Sequence, residues 1–355
     1  MDTRRFQIED LERIFYLTRE CGLNRNVTLQ DWVSIVRWSV FDNPFNTLGE
    51  FGEILVDDGK PIGFIGYSFR PFRLDNTRTT ACLVGDLSIH PNYRGGLGTE
   101  FFENTVRQFQ DTVVFSTHFT SVAAHIWKKF GGREIDNTGN TFRGIISLES
   151  FMRSKLVGYS GLLSISTNVG LTKLAKYVLT KYGIREVEVS PTSEKLIYPF
   201  SFNKHNRSSI EGLCSKFLDT YDVGIYRTYK YLIWRYIRHP FRCRFHAFAL
   251  EAPNGVLVGI GILKVDLNDI VYIYDIVYDP NVERIEEKMI SSAVELSKKL
   301  GGTIMFSKYI NRKIMCVLQN FGFTQTKKDY NQYVIISKPK QNGHTLFAYS
   351  DFKDY

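Results

Sequence analysis

The sequence predicts a mixed α/β fold present in two tandem copies. Three observations predict it. Landmark residues recur in order at a nearly constant offset, strands and helices follow the same order in both halves, and the chain is long enough for two domains. Its 355 residues are 43% hydrophobic and 23% charged, an ordinary globular balance with apolar mass for two sizeable cores.

The repeat comes first. Trp38, Pro44 and Phe45 recur as Trp234, Pro240 and Phe241, each offset by 196 positions. Gly63 in PIGFIG recurs as Gly259 in LVGIG at the same offset. Phe115-Ser116 and Phe130-Gly131 recur as Phe306-Ser307 and Phe321-Gly322, offset by 191. Ordered landmarks with so small a net shift point to duplication. Each copy is expected to carry its own core.

The elements follow in the same order in both halves. Leu11, Ile14, Phe15, Trp32, Ile35 and Val36 lie at helical spacing and predict an opening helical region. EILVD and PIGFIGYSF are then expected to form a hairpin across Asp58-Gly59, and FHAFALEA and VLVGIGILKV one across Asn254-Gly255. A third strand comes next, ACLVGDLSIHP or IVYIYDIVYDP, then a helix, GTEFFENTVRQFQ or RIEEKMISSAVELSKKLG. A short strand (TVVFST or TIMFSK) and a helix ending at Phe-Gly complete the core order. GNTFRGIISL and NQYVIISK are each expected to close their own half. The predicted units are residues 1–150 and 201–340, joined by 151–200 and followed by a polar tail, 341–355.

Composition narrows the function classes. The formal charge of +8 favours anionic partners: CoA, nucleotide-linked sugars, nucleic acid or an anionic membrane surface. No Lys/Arg run reaches five residues, so a nucleic-acid-binding tail is not expected. Cys21, Cys82, Cys214, Cys243 and Cys316 are scattered and form no CxxC pair. Neither a metal site nor a disulfide framework is signalled, and a cytoplasmic protein is expected. MDTRRFQIEDLERIF lacks the apolar core of a secretory signal, and no stretch reaches the roughly 18 apolar residues of a membrane span.

The most informative segment is GDLSIHPNYRGGLGTEF, residues 85–101. A strand runs into a Gly/Arg turn that opens a helix. Free amides at a positive helix end, approachable through glycines and flanked by the Arg94 guanidinium, suit a phosphate. A Walker loop requires Gly-Lys-Ser/Thr and a dinucleotide fingerprint requires G-x-G-x-x-G. Neither is present.

LSIHPNYRGGLGTEF resembles the strand, turn and glycine loop of the GNAT superfamily of acyl-CoA N-acyltransferases, and SVAAHIWKKFGG resembles the helix of that family's following motif. The likeness spans roughly residues 48–147, and the duplication carries it to 240–337. It implies two tandem GNAT-like domains, each a mixed, mostly antiparallel sheet flanked by helices, and acetyl-CoA or another acyl-CoA as co-substrate, with no metal. It also implies cofactor contacts. The backbone of Leu87, Ser88 and Ile89 would meet the pantetheine arm. Amides of Arg94, Gly95, Gly96, Leu97, Gly98 and Thr99 would cradle the pyrophosphate. Ser121 falls near a CoA-contacting position. The chain departs from the pattern twice: its loop is one residue shorter, and Trp127 stands where the family's acid tyrosine is common. Indole cannot protonate a thiolate.

In the second copy the loop position reads VYDPNVERIEE, residues 277–287, without glycine and with acidic Asp279, Glu283, Glu286 and Glu287. Such a loop repels a pyrophosphate, so one acyl-CoA site per chain is expected, in the first half. Strand alternation places Asp86, Ser88 and His90 on one face, opposite Leu87 and Ile89. Asp86 is the first candidate for the general base and His118 the second; a water chain with no dedicated base stays open. In YKYLIWRYIRHPF, residues 229–241, Trp234, Arg235 and Tyr236 are candidate acceptor-binding residues, although the echo at Trp38 also suits a structural corner. This stretch with a tandem arrangement resembles bacterial sugar N-acyltransferases of surface-polysaccharide pathways. The favoured acceptor is therefore the amine of an amino sugar, nucleotide-linked. A polyamine, antibiotic, amino acid or protein lysine, or a non-catalytic CoA-binding module, is the alternative. A homodimer is left open.

Overall fold

The computed structural model describes residues 1–74, 77–116, 121–135, 141–148, 150–151, 177, 181, 186–190, 192–266, 269–307, 311–326, 332–335 and 345–346. The first half runs β1 (Asp2–Arg5), α1 (Leu11–Glu20), α2 (Leu29–Val36), β2 (Gly52–Asp57), β3 (Lys60–Leu74), β4 (Thr77–Ile89), α3 (Leu97–Gln108), β5 (Val113–Ser116), α4 (Ser121–Lys129), β6 (Arg133–Ile135) and β7 (Phe142–Ile145). The second runs β8 (Lys195–Ile197), α5 (Arg207–Leu218), β9 (Val223–Ile225), α6 (Tyr229–Leu232), β10 (Phe245–Glu251), β11 (Leu257–Asp266), β12 (Ile270–Tyr278), α7 (Ile285–Lys299), β13 (Ile304–Ser307), α8 (Arg312–Asn320), β14 (Thr324–Gln325), β15 (Gln332–Ile335) and β16 (Thr345–Leu346).

These strands form two mixed, mostly antiparallel sheets flanked by helices, as the sequence predicts. Each contains one equivalent parallel pair, β4/β5 and β12/β13, joined through a crossover helix. Both expected hairpins are present, and Asp58 and Gly59 turn the first in the left-handed region.

The closing strands depart from expectation. β7, which ends the first half, pairs with β13 and β14 of the second sheet. β15, near the end of the chain, lies between β5 and β6 of the first sheet. The halves therefore exchange their last strands. Copies of one domain present near-equivalent edges, so either closing strand can complete either sheet, as in domain swapping.

The cores are also not separate. One cluster on the first sheet joins α1 and α2 to Ile54 and Phe64, and a second joins α3 to Tyr67, Phe69, Val114 and Trp127. The largest, centred on the second half, takes in Trp38, Phe72, Ala81, Phe115, Phe142 and Ile146 from the first. The repeated tryptophans explain how. Trp38 and Trp234 stack with ring centroids 4.7 Å apart. Each indole N–H donates to the other's backbone carbonyl, at 3.0 and 3.4 Å. Both sit in a single π-turn, 37–41 and 233–237. The repeated corner is thus a self-complementary contact of the kind found at a twofold axis. It continues at Asn43 and His239, which hold equivalent turns by accepting the N–H of Phe45 and Phe241.

Candidate active site

β4 and β5 pair only over Ala81–Leu83 and Val113–Phe115, while β4 continues to Ile89. Among the described residues their pairing ends at Leu83. The register of β4 against β3 also shifts there. Gly66 faces Gly85 and Phe64 faces Ser88, so Asp86 and Leu87 together oppose Ile65 in a bulge. Asp86 takes φ 54°, a left-handed conformation that Asp tolerates better than most residues. Bulges re-aim side chains, and this one interrupts simple alternation. Leu87 and Ile89 still share the α3-side cluster. Ser88 is buried beside Phe64 and donates to the Asp86 carbonyl at 2.8 Å. His90 has left the strand, and its Nδ1 accepts the Asn92 N–H.

A short turn, Pro91–Tyr93, then leads through Arg94 to Gly95 and Gly96, at φ 135° and 125°. These values are open to glycine and rarely to other residues, and a Cβ at either would meet no atom within 4 Å. Backbone shape, not crowding, demands glycine at both positions. Gly96 caps α3 without any side-chain bond. The amides of Gly95, Gly96, Leu97 and Gly98 meet no acceptor among the described residues. Four exposed or half-exposed N–H groups thus surround the positive end of a 12-residue helix.

The turn is tied down from three sides. The Tyr93 hydroxyl donates to Asp57 at 2.9 Å, and that carboxylate raises the phenol above its ordinary value. His90 Nε2 lies 3.5 Å from Glu20. The Cys21 thiol donates to the Ile89 carbonyl at 3.3 Å, and Arg94 Nε donates to the same oxygen at 3.5 Å. Burial raises the Cys21 thiol despite the nearby Arg94 charge. The ties from Glu20, Cys21 and Asp57 are not visible in local sequence patterns, because these residues reach the turn from other elements.

The second copy's turn is closed instead. Asp279 accepts the Asn281 N–H and binds Lys216 at 2.5 Å. Arg284, in the left-handed region, caps α7 and pairs with Glu287. Its third strand keeps the aspartate: Asp275 occupies the place of Asp86, five residues before the proline in both copies. Asp275 is 1% exposed, with Arg227 at 3.1 Å and the Tyr236 hydroxyl donating at 2.7 Å. Burial holds the Tyr236 phenol well above its usual value.

The remaining predicted residues are placed as follows. Thr99 lies in the first turn of α3 and Ser121 opens α4. Trp127 is buried against Phe102, ring centroids 4.9 Å apart. Trp234, Arg235 and Tyr236 are 1, 1 and 2% exposed in the seam between the halves. The Arg235 guanidinium lies over the Trp38 ring at 5.4 Å and donates to the Tyr274 hydroxyl at 3.4 Å. His118 lies outside the described residues. Sequence reasoning missed Glu53 on β2, facing Ile65 across from the bulge. Burial raises its carboxyl, and a bond from Tyr67 only partly offsets this. Among the described residues no His/Cys/Asp/Glu group could hold a metal ion. No helix among them is long and apolar enough to cross a membrane.

The chain carries the fold of GNAT-type N-acyltransferases. It superposes on a GCN5-related N-acetyltransferase from Anabaena variabilis with a TM-score of 0.60 and 13% identity, over 95% of this chain and 73% of that one. Saccharomyces cerevisiae N-myristoyltransferase with bound myristoyl-CoA superposes with a TM-score of 0.58 and 12% identity, over 94% of this chain and 78% of that one. At such identities the likeness is one of fold. No protein-family model and no curated protein matches the sequence.

Proposed function

We propose that this chain is an acyl-CoA-dependent N-acyltransferase with one cofactor site, in its first half. The observation that carries the proposal is the glycine turn at the end of β4. Its amides converge on the start of α3 with no side chain capping them. A diphosphate fits such a nest, through both the free donors and the helix dipole. The amides of Gly95, Gly96, Leu97 and Gly98 hold the pyrophosphate, whereas those of Arg94 and Thr99, expected to join them, already donate to Pro91 and Gly96; the backbone of β4 at Leu87–Ile89 takes the pantetheine arm. Ser121, at the start of α4, is assigned a further CoA contact.

The reaction is attack of a neutral amine on the thioester carbonyl. The C–N bond forms, the C–S bond breaks, and backbone N–H groups on β4 stabilise the oxyanion between. Asp86, aimed by the bulge, or His118 accepts the amine proton directly or through water. Because Trp127 is an indole packed in the core, the departing thiolate takes its proton from water.

The acceptor is the amine of an amino sugar, nucleotide-linked. The formal charge of +8 favours a negatively charged acceptor over a polyamine. Trp234, Arg235 and Tyr236, almost fully buried, serve as the structural corner. Trp127 favours a second reading, a module that binds CoA without catalysis.

Acyl-CoA binding and turnover separate these readings. Acetyl-CoA should raise the melting temperature, and Gly98→Trp should abolish the rise. Thiol release should then follow addition of nucleotide-linked amino sugars and not of polyamines. A thermal rise without thiol release from any amine would favour the non-catalytic module; no rise with any acyl-CoA would overturn both.

A further inference from the structure

The two copies of the tryptophan corner keep the same backbone and differ in surface. In the first copy Phe41 is covered by its own chain, with Phe6 and Phe51 at ring-centroid distances of 5.2 and 4.8 Å. Its counterpart at the 196-residue offset is Ile237, which is 42% exposed. By strand register the counterpart of Phe51 is His246, which bonds the Tyr198 hydroxyl at 2.8 Å instead. Charge differs as well. Asp42, Asn46 and Leu48 correspond to Arg238, Arg242 and Arg244. Residues 37–48 carry no net formal charge, whereas 233–244 carry four arginines and no acid. Arg235 points into the seam, while Arg238 and Arg242 are exposed, with no ion pair among the described residues; Arg244 reaches Asp266 at 3.5 Å.

We infer that this corner docks on an anionic phospholipid surface. An exposed aliphatic side chain in a segment with exposed arginines and no acid matches a bilayer interface, where the apolar group enters and the arginines meet headgroup phosphates. Single-stranded nucleic acid fits less well. It needs open rings for base stacking, and the Phe241 ring is already flanked by Arg244 at 5.2 Å and His239 at 5.9 Å. Because Ile237 closes the π-turn that begins beside Trp234, docking brings the seam to the membrane surface. The inference does not depend on acyl transfer.

The test is co-sedimentation of the full-length protein with vesicles. One set is phosphatidylcholine alone and the other contains one third phosphatidylglycerol. Binding is expected to the anionic vesicles only, and to fall as NaCl rises from 50 to 500 mM. Each cationic side chain near such a surface raises partitioning about fivefold, so Arg238→Glu with Arg242→Glu should lower it by at least about 25-fold. Ile237→Asp should weaken binding further. Lys60→Glu with Lys204→Glu, the same change in net charge elsewhere, should retain most of the binding. No binding to anionic vesicles, or equal losses in both charge-reversed pairs, would overturn the inference. Binding to a duplex or single-stranded oligonucleotide without vesicle binding would assign the corner to nucleic acid instead.

Discussion

Gly96→Ala tests the phosphate turn with the smallest possible change. Gly96 sits at φ 125°, ψ −29°, with nothing within 4 Å of where a Cβ would stand. The methyl therefore clashes with nothing, and the whole cost is backbone conformation. Holding a non-glycine residue in such a region costs about 1–3 kcal/mol. If alanine keeps the turn's shape, this cost appears as lost stability with acyl-CoA affinity unchanged. If the turn relaxes, the amides of residues 95–98 swing off the pyrophosphate and the cost appears in binding, as a Kd about 5- to 150-fold higher. Relaxation is expected, because the turn is exposed and Gly96 has no side-chain cap holding it. Gly98→Ala is the matched control. It lies in the first turn of α3, and its Cβ would approach Ile89 Cγ1 at 3.4 Å, a contact that a small shift relieves. Replacing a helical glycine recovers up to about 1 kcal/mol, so this variant should melt no lower than the parent. Titration calorimetry with acetyl-CoA, paired with melting curves, measures both quantities. The reasoning fails if Gly96→Ala changes neither affinity nor stability, or if Gly98→Ala alone abolishes binding.

Three further outcomes are expected. Trp38→Phe and Trp234→Phe each leave a buried carbonyl without its indole donor, at about 1–3 kcal/mol in urea unfolding; the double variant should lose at least about 0.5 kcal/mol less than the sum, and strict additivity would show that the two do not act as a pair. Tyr93→Phe frees the Asp57 carboxylate beside the turn, so KM for acyl-CoA should rise several-fold with kcat unchanged, and a fall in kcat alone would contradict a purely positioning role. Glu53→Gln should raise the melting temperature at neutral pH. Burial lifts the Glu53 carboxyl in the folded chain, so the native state binds its proton more tightly than the unfolded one, and stability is lost as pH rises above the ordinary glutamate value. The gain should therefore vanish below about pH 4, and a pH-independent difference would refute the assignment.

Much of the fold was legible because it is written locally. The hairpin glycines, the helical spacing of Leu11 to Val36 and the strand–turn–helix at residues 85–101 each specify structure within a few residues. The glycine turn was legible for the same reason, since Gly95 and Gly96 need only their own φ angles. The bulge at Asp86 was not, because its register is set by β3. The ties from Cys21 and Asp57 were hidden too, as were the burial of Trp234 to Tyr236 and the raised carboxyl of Glu53. Each depends on residues distant in the chain.

The sequence alone determined that one α/β unit occurs twice, that only the first copy keeps a glycine turn suited to a phosphate, and that the second replaced it with acids. Tertiary structure decided how the copies share the work. β7 and β15 change places, the tryptophans pair around a common core, and Asp275 is sealed while Asp86 lies in a bulge of β4. The physical reason is the duplication itself. Two copies of one domain offer near-equivalent edges and faces, so local preference says which segments are strands, and only long-range packing selects their partners.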